Sequence, residues 1–272
     1  MKFKFKEVNG LKIRYAEQRG NQKETVVMLS PWPQSIMAFE PFWDKLTEEF
    51  SVIAIDLPGY GGSEGDIKYF SPLKMADCLV DIVNALEIPK FHLVGPDVGC
   101  PAGLALAIKK PELLKSLFIG DGACVSPLIV ASSLEQLIKA PSLEDLKPIA
   151  NQQLVMDTVK RGYLKHQPSE EAVNDFLASY DTTERIVEPI NFVRAYPVDL
   201  PEMQKKYGDI EIPVMIAWGE NDVFALKENA FELDKMLKNS QVKILEGAGH
   251  FAYEDNNEEV LELFKDWFNK NA

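Results

Sequence analysis

The stretch Phe91-His92-Leu93-Val94-Gly95-Pro96-Asp97-Val98-Gly99 decides how this sequence is interpreted. It begins as a mostly apolar run, as buried strands do, and a helical pattern of small and apolar residues follows Gly99. Glycines on both sides of Asp97 permit a very sharp turn from strand to helix. Such a turn strains the backbone of its central residue and projects the side chain above the sheet. The pattern predicts a nucleophilic carboxylate at Asp97, near the N–H groups of Val98 and the following helix.

Short apolar runs alternate with helical patterns on both sides of this turn. Strands are predicted over residues 2–8, 11–16, 25–29, 52–55, 92–94, 116–119, 214–218 and 242–245. Helices are predicted over residues 39–50, 71–86, 102–108, 225–237 and 258–268. The first two strands alternate in polarity and are joined by Asn9-Gly10, which is typical of a hairpin. Strands alternating with helices predict a mostly parallel sheet covered by helices on both faces.

One long block interrupts this alternation. Residues 123–209 contain many prolines, helical patterns and no convincing strand. Because the alternation resumes immediately afterwards, we predict a helical cap, or lid, inserted late in the sheet. The expected core then comprises residues 1–122 and 210–272, and the cap comprises residues 123–209. A separate small domain is the alternative interpretation.

Composition excludes several classes of function. The chain has 272 residues, of which 46% are hydrophobic, and 42 acidic against 29 basic residues give a net charge of −13. This negative charge disfavours binding to nucleic acid or to anionic membranes, and no apolar stretch reaches the roughly 20 residues of a membrane span. The three cysteines indicate a reducing, cytoplasmic compartment. Without CxxC or HxxxH spacing we expect no metal and no cofactor, so the predicted partners are a small-molecule substrate and water.

Two further segments contain candidate catalytic residues, one with a histidine and one with a serine. His250 follows the last predicted strand among small residues, where a base that activates water belongs. It requires an orienting carboxylate, and Asp222 and Asp121 both follow predicted strands; we favour Asp222. The segment Gly61-Gly62-Ser63-Glu64-Gly65 matches the serine-nucleophile pattern G-x-S-x-G, but it follows a glycine-rich loop and not an apolar strand. We interpret it as a loop.

Several motifs in order along the chain resemble the α/β-hydrolase fold, and in particular its branch with an Asp nucleophile. They are Ser30-Pro31-Trp32-Pro33, Asp56-Leu57-Pro58-Gly59-Tyr60-Gly61-Gly62-Ser63, the turn at Asp97, Trp218-Gly219-Glu220-Asn221-Asp222 and Glu246-Gly247-Ala248-Gly249-His250. That branch contains epoxide hydrolases and haloalkane or haloacid dehalogenases. The resemblance implies an eight-stranded, mostly parallel sheet flanked by helices. It also implies an oxyanion hole made by the backbone N–H groups of Val98 and Trp32.

The resemblance implies a double displacement through an ester on Asp97, which water activated by His250 then hydrolyses. The family's halide-binding Trp and substrate-gripping Arg are absent after Asp97, where Val98 stands. Epoxide hydrolases protonate the leaving oxygen with cap tyrosines, and this cap offers Tyr163, Tyr180 and Tyr196. With Trp32, these tyrosines are the candidate substrate-binding residues. Val193 stands where the family places one such tyrosine. We therefore favour an epoxide hydrolase.

Two alternatives stay open beside the epoxide hydrolase. The first is a haloalkane or haloacid dehalogenase, which would use the same Asp97 nucleophile. The second is a ligand-binding protein on an inactive hydrolase scaffold. The acidic run of residues 254–259 is interpreted as a charged entry to the last helix. The oligomeric state does not follow from the sequence.

Overall fold

The structure, a computed structural model, describes residues 1–21 and 23–272 and contains one sheet of eight strands. The strands are β1 (Phe3–Val8), β2 (Leu11–Gln18), β3 (Thr25–Leu29), β4 (Ser51–Ile55), β5 (Phe91–Pro96), β6 (Leu114–Gly120), β7 (Val214–Gly219) and β8 (Ser240–Leu245). Their order across the sheet is β1-β2-β4-β3-β5-β6-β7-β8. The pairs β1–β2 and β2–β4 are antiparallel, and all other pairs are parallel. The predicted fold class is confirmed.

The hairpin at the start of the chain forms as the sequence predicts. Asn9 and Gly10 have φ angles of 54° and 79°, the left-handed conformation that a two-residue hairpin turn requires. Val8 pairs with Leu11 across the turn. The hairpin covers one edge of the sheet, so β2 joins the first strand of the parallel part, β4.

Helices cover both faces of the sheet. They are α1 (Glu40–Glu49), α2 (Pro72–Ala85), α3 (Gly99–Lys109), α10 (Glu228–Asp234), α11 (Ala252–Asp255) and α12 (Asn257–Lys270). Strand β3 is buried throughout, and its side chains alternate between faces. Val27 and Leu29 join a core with α2 and α3, whereas Val26 and Met28 join a core with α1 and α12. This double burial explains why the central strands read as continuous apolar runs.

The chain between β6 and β7, residues 121–213, is here called the inserted segment. It contains α4 (Ser132–Ile138), α5 (Gln152–Gly162), α6 (Glu170–Ser179), α7 (Thr183–Val187), α8 (Ile190–Arg194) and α9 (Tyr196–Gln204). The structure describes all of this segment, and none of it joins the sheet. Its last helix, α9, packs into the same core as α2 and α3. The division into a core and a cap at residues 123 and 209 stays a prediction.

A buried ionic cluster fastens the inserted segment to the sheet. Arg14 of β2 donates from Nε to Asp56, and its two terminal nitrogens donate to the Asp175 carboxylate of α6 at 2.7 and 2.8 Å. Ser35 also donates to Asp175, at 2.5 Å, and Asp56 accepts the N–H of Ile36 at 2.8 Å. The cluster therefore joins β2, the loop after β3, the loop after β4 and α6. Within the described residues, no helix is long and apolar enough to cross a membrane.

Replacing Arg14 with Leu is expected to lower the free energy of unfolding by about 3–5 kcal/mol, because the fully buried Asp56 and the partly buried Asp175 would lose their counter-charge. Urea unfolding measures the change. The matched control is Arg19→Leu, since Arg19 pairs with Glu17 at an exposed position. Arg19→Leu is expected to lower the free energy of unfolding by less than about 1 kcal/mol. Equal losses in the two variants would contradict the anchoring role of Arg14.

Candidate active site

Asp97 lies at the turn between β5 and α3, where the sequence places it. Its φ angle is +50°, a left-handed conformation that is rare for a residue with a side chain. The turn is tight because a Cβ on Gly95 would collide with the carbonyl of Gly99. The Asp97 N–H donates to the Gly120 carbonyl of β6 at 3.0 Å. The neighbouring strand thus holds the strained residue in place, and Val98 begins the helix.

The Asp97 carboxylate is held by the loop that follows β3. The backbone N–H of Trp32 donates to Asp97 Oδ2 at 2.7 Å. Asp97 Oδ1 lies 3.6 Å from Nε2 of His250. One carboxylate oxygen is therefore fixed on a backbone donor, and the other faces the imidazole.

His250 follows β8, and its other ring nitrogen faces Asp222 after β7. Nδ1 of His250 lies 3.0 Å from each carboxylate oxygen of Asp222. Asp222 Oδ1 also accepts the N–H groups of Phe224 and Ala225, at 2.8 and 3.1 Å. These bonds fix the carboxylate, so it holds the imidazole with Nε2 directed at Asp97.

Asp121 after β6 is fully buried but does not contact His250. Its φ angle is 54°, and its Oδ1 accepts the N–H of Gly219 at 2.8 Å. Burial and then the charge of Asp222 raise the pKa of Asp121 well above its usual range. Of the two carboxylates considered from the sequence, the geometry pairs Asp222 with the imidazole.

Comparison with known proteins identifies the family of this chain. A family model described as the alpha/beta hydrolase family matches residues 26–263. The chain belongs to the α/β-hydrolase family.

This hydrolase has relatives with several activities. It is 29% identical over 245 residues to a 2-hydroxy-6-oxononadienedioate/2-hydroxy-6-oxononatrienedioate hydrolase of Escherichia coli (strain K12), with 86% of this chain and 83% of that one covered. The haloalkane dehalogenase DbeA from Bradyrhizobium elkani USDA94 superposes with a TM-score of 0.85 and 21% identity, covering 99% and 98% of the two chains. The epoxide hydrolase CorEH superposes with a TM-score of 0.83 and 19% identity, and the match covers 100% of this chain and 99% of that one. These two structural likenesses establish the fold alone.

A cavity of about 220 Å³ lies above Asp97 and His250, between the sheet edge and the inserted segment. Its wall is apolar except at a few positions and comes largely from Leu134, Leu137, Leu146, Ile149, Leu154, Val155, Ile186, Val187, Ile190 and Val193. The volume is below the roughly 300–1,000 Å³ typical of drug-sized ligands, which indicates a small ligand. Within the described residues, no group of three His, Cys, Asp or Glu side chains could hold a metal ion.

Two of the four predicted substrate-binding residues line the cavity of this hydrolase. They are Trp32 and Tyr196. Burial, together with the negative charge of Asp97, raises the pKa of Tyr196 well above its usual range, so its hydroxyl keeps its proton. Val193, which stands at the position of an expected tyrosine, is also in the wall.

The structure does not bring Tyr163 and Tyr180 to the cavity. The Tyr163 hydroxyl donates to Glu254 at 2.6 Å, and the Tyr180 hydroxyl donates to the Gln34 carbonyl at 3.0 Å. Both side chains are buried, and their bonds tie the inserted segment to α11 and to the loop after β3. Their hydroxyls therefore serve packing, which corrects the expectation that these two tyrosines bind substrate.

Ser63 of the G-x-S-x-G segment has a structural position, as the sequence predicts. Its hydroxyl donates to the Asp56 carbonyl at 2.7 Å and accepts the N–H of Arg14 at 2.8 Å. It is buried and does not line the cavity.

Glu254 and Asp255, which the sequence analysis interprets as part of a charged entry to the last helix, are both buried. Asp255 accepts backbone N–H groups from both the inserted segment and the His250 loop, at 2.7–2.9 Å, from Leu164, Lys165, His166 and Gly249. Glu254 accepts from Tyr163 and, at 3.0 Å, from the side chain of Gln34. These residues position the loops that carry Trp32 and His250. Their acidic sequence gives no sign of this, because only the fold brings the backbone donors to them.

Burial raises the pKa of Glu254 from 4.5 to about 8, against the opposing effect of its hydrogen bonds. The native state therefore binds the proton more tightly than the unfolded state, and this contribution to stability is lost as the pH rises from about 4.5 to 8. In Glu254→Gln, the unfolding midpoint is expected to fall less between pH 5 and pH 8 than in the wild type. Thermal unfolding at several pH values between 5 and 8 measures this change in the midpoint. The exposed Glu258→Gln is the control, and an unchanged slope in Glu254→Gln would contradict the assignment.

Proposed function

We propose that this hydrolase uses Asp97 as its nucleophile and acts on a small epoxide. The proposal depends on one observation, the placement of the Asp97 carboxylate. Oδ2 accepts the Trp32 N–H at 2.7 Å, while Oδ1 faces the cavity residue His250 at 3.6 Å. A carboxylate in this arrangement can attack with Oδ1 and leave Oδ2 where the N–H group stabilises developing charge.

The first step forms an ester. Asp97 Oδ1 attacks one carbon of the epoxide, and the bond between that carbon and the ring oxygen breaks. Tyr196 supports this step, because its protonated hydroxyl lines the cavity and can transfer its proton to the leaving oxygen. The product is a hydroxyalkyl ester on Asp97, with Tyr196 left as a phenolate.

The second step hydrolyses that ester. Nε2 of His250 takes one proton of a water molecule, whose oxygen attacks the carboxyl carbon of Asp97. The negative charge collects on Oδ2, beside the Trp32 N–H; Val98, at the start of α3, is the proposed source of a second donor. When the intermediate collapses, the alkoxide leaves with the proton from His250. The other proton of the water restores Tyr196, and the net reaction is epoxide plus water to diol.

The charge of His250 supports this order of steps. Burial alone would lower the pKa of His250, but the carboxylates of Asp222 and Asp97 outweigh burial and raise the pKa well above its usual range. Esterification removes the charge of Asp97 and with it part of this effect. A larger fraction of the imidazole is therefore neutral after the first step than before it, so that Nε2 can accept a proton from water in the second step.

A dehalogenase is the second candidate. Trp32 lines the cavity, and its indole N–H is buried without a hydrogen-bond partner among the described residues. A halide leaving group can accept a hydrogen bond from such an N–H group, and it departs without taking up a proton. The nucleophile and the second step would be the same as for an epoxide.

Replacing His250 with Gln is expected to block the second step and leave the first. The variant should accumulate an adduct on Asp97 equal in mass to the whole epoxide, or to the haloalkane less hydrogen halide. Intact-mass measurement after incubation with a panel of small epoxides and haloalkanes detects it, and the wild type should release diol or halide. The panel also includes a dienedioate of the kind named for the E. coli relative.

Asp97→Asn is the matched control, since it keeps the shape of the side chain and is expected to form no adduct. Turnover by the wild type without an adduct in His250→Gln would contradict the ester mechanism. Ligand-induced stabilisation without turnover of any compound would instead favour a binding protein on an inactive scaffold.

The two carboxylates near His250 are expected to differ in importance. Asp222→Asn should lower kcat by about 10⁴-fold, because the Asn amide cannot hold the imidazole with the required tautomer. Asp121→Asn should lower kcat by less than about tenfold, since Asp121 bonds Gly219 and not His250. Steady-state kinetics with the best panel substrate measures both. The reverse ranking would assign the orienting role to Asp121.

A further inference from the structure

Arg161 stands out in the wall of the cavity. Among the residues that the structure describes, Asp97, Arg161 and His250 are the charged residues that line it. It lies in the last turn of α5, is exposed to solvent and therefore marks the outer part of the cavity.

Arg161 also differs from the other four arginines of the chain. Arg14 and Arg19 pair with carboxylates, and Arg185 and Arg194 donate to backbone carbonyls. Arg161 has no hydrogen-bond or ion-pair partner within residues 1–21 and 23–272. An acidic chain with 42 carboxylate residues thus leaves its cavity arginine unpaired.

The guanidinium is held at a defined distance from the reacting groups. Its central carbon lies 5.1 Å from the ring centroid of Phe224, and that ring lies 5.0 Å from the ring of His250. The guanidinium carbon is therefore within about 10 Å of the imidazole centre. The apolar ring of Phe224 contacts both groups and so lies between them.

We propose that Arg161 binds a carboxylate at the outer end of the substrate. The substrate class is then a carboxylic acid whose apolar chain separates the carboxylate from the carbon attacked by Asp97; this second part rests on the proposed function. A guanidinium fork matches a carboxylate in two hydrogen bonds. A phosphate dianion fits less well, because among the described residues no second lysine or arginine side chain lines the cavity. The positive charge at the cavity also offsets the repulsion that a chain of net charge −13 exerts on an anion.

A structural role for Arg161 makes different predictions. A cation at the C-terminal end of α5 stabilises the helix dipole, and its contact with Phe224 is favourable. Both effects would change the stability of the protein, but neither would distinguish one ligand from another.

The test compares hexanoate with hexan-1-ol, two ligands of equal chain length that differ in charge. Calorimetric titration of the wild type, Arg161→Gln and Arg161→Lys gives their dissociation constants without any need for turnover. We expect Arg161→Gln to weaken hexanoate binding about tenfold and leave hexan-1-ol binding unchanged, with Arg161→Lys between the two. Equal effects on both ligands, or no preference of the wild type for hexanoate, would overturn the proposal.

A kinetic arm separates this proposal from the proposed function. An epoxide with a terminal carboxylate is compared with its methyl ester, and Arg161→Gln is expected to lower kcat/KM about tenfold for the acid alone. An equal loss for the acid and the ester would contradict recognition of the carboxylate. If neither compound is turned over, the proposed function fails, and the titration still decides whether Arg161 binds carboxylates.

Discussion

The contact between Asp97 and the Trp32 N–H is the interaction on which the site depends. It brings together the turn after β5 and the loop after β3, two neighbouring parallel strands that end at the same edge of the sheet. The left-handed backbone of Asp97 is costly, and its bond to Gly120 on the other neighbouring strand helps to hold it. The site therefore requires the parallel order of the central strands.

The sequence predicts the centre of the molecule well, since local chemistry determines it. Buried parallel strands need continuous apolar runs, and a turn this sharp needs glycines beside Asp97, so both leave a pattern in the sequence. His250 and Asp222 follow strands, and their position along the chain was enough to place them at one sheet edge. The sequence favours Asp222 over Asp121, and the distances agree, since Asp222 faces Nδ1 of His250 whereas Asp121 accepts from Gly219.

The side-chain contacts of the inserted segment are harder to predict from its sequence. Helical segments of similar composition can turn a tyrosine toward the cavity or toward a neighbouring loop, and the tertiary packing decides which. Tyr163 and Tyr180 find buried acceptors on Glu254 and Gln34, whereas Tyr196 lines the cavity. The buried positions of Glu254 and Asp255 do not follow from the sequence for the same reason, since only the fold brings hydrogen-bond donors around them.

The packing of α9 distinguishes the two ends of the inserted segment. Tyr196 and Leu200 belong to the same apolar core as α2 and α3, while Ile149 and Leu154, in the outer part of the cavity wall, are largely exposed. Movement that admits a ligand therefore requires the least free energy near α5 and the most near α9. In the proposed mechanism, access and proton donation thus belong to different helices, so that the entrance can open without separating the Tyr196 phenol from the Asp97 carboxylate.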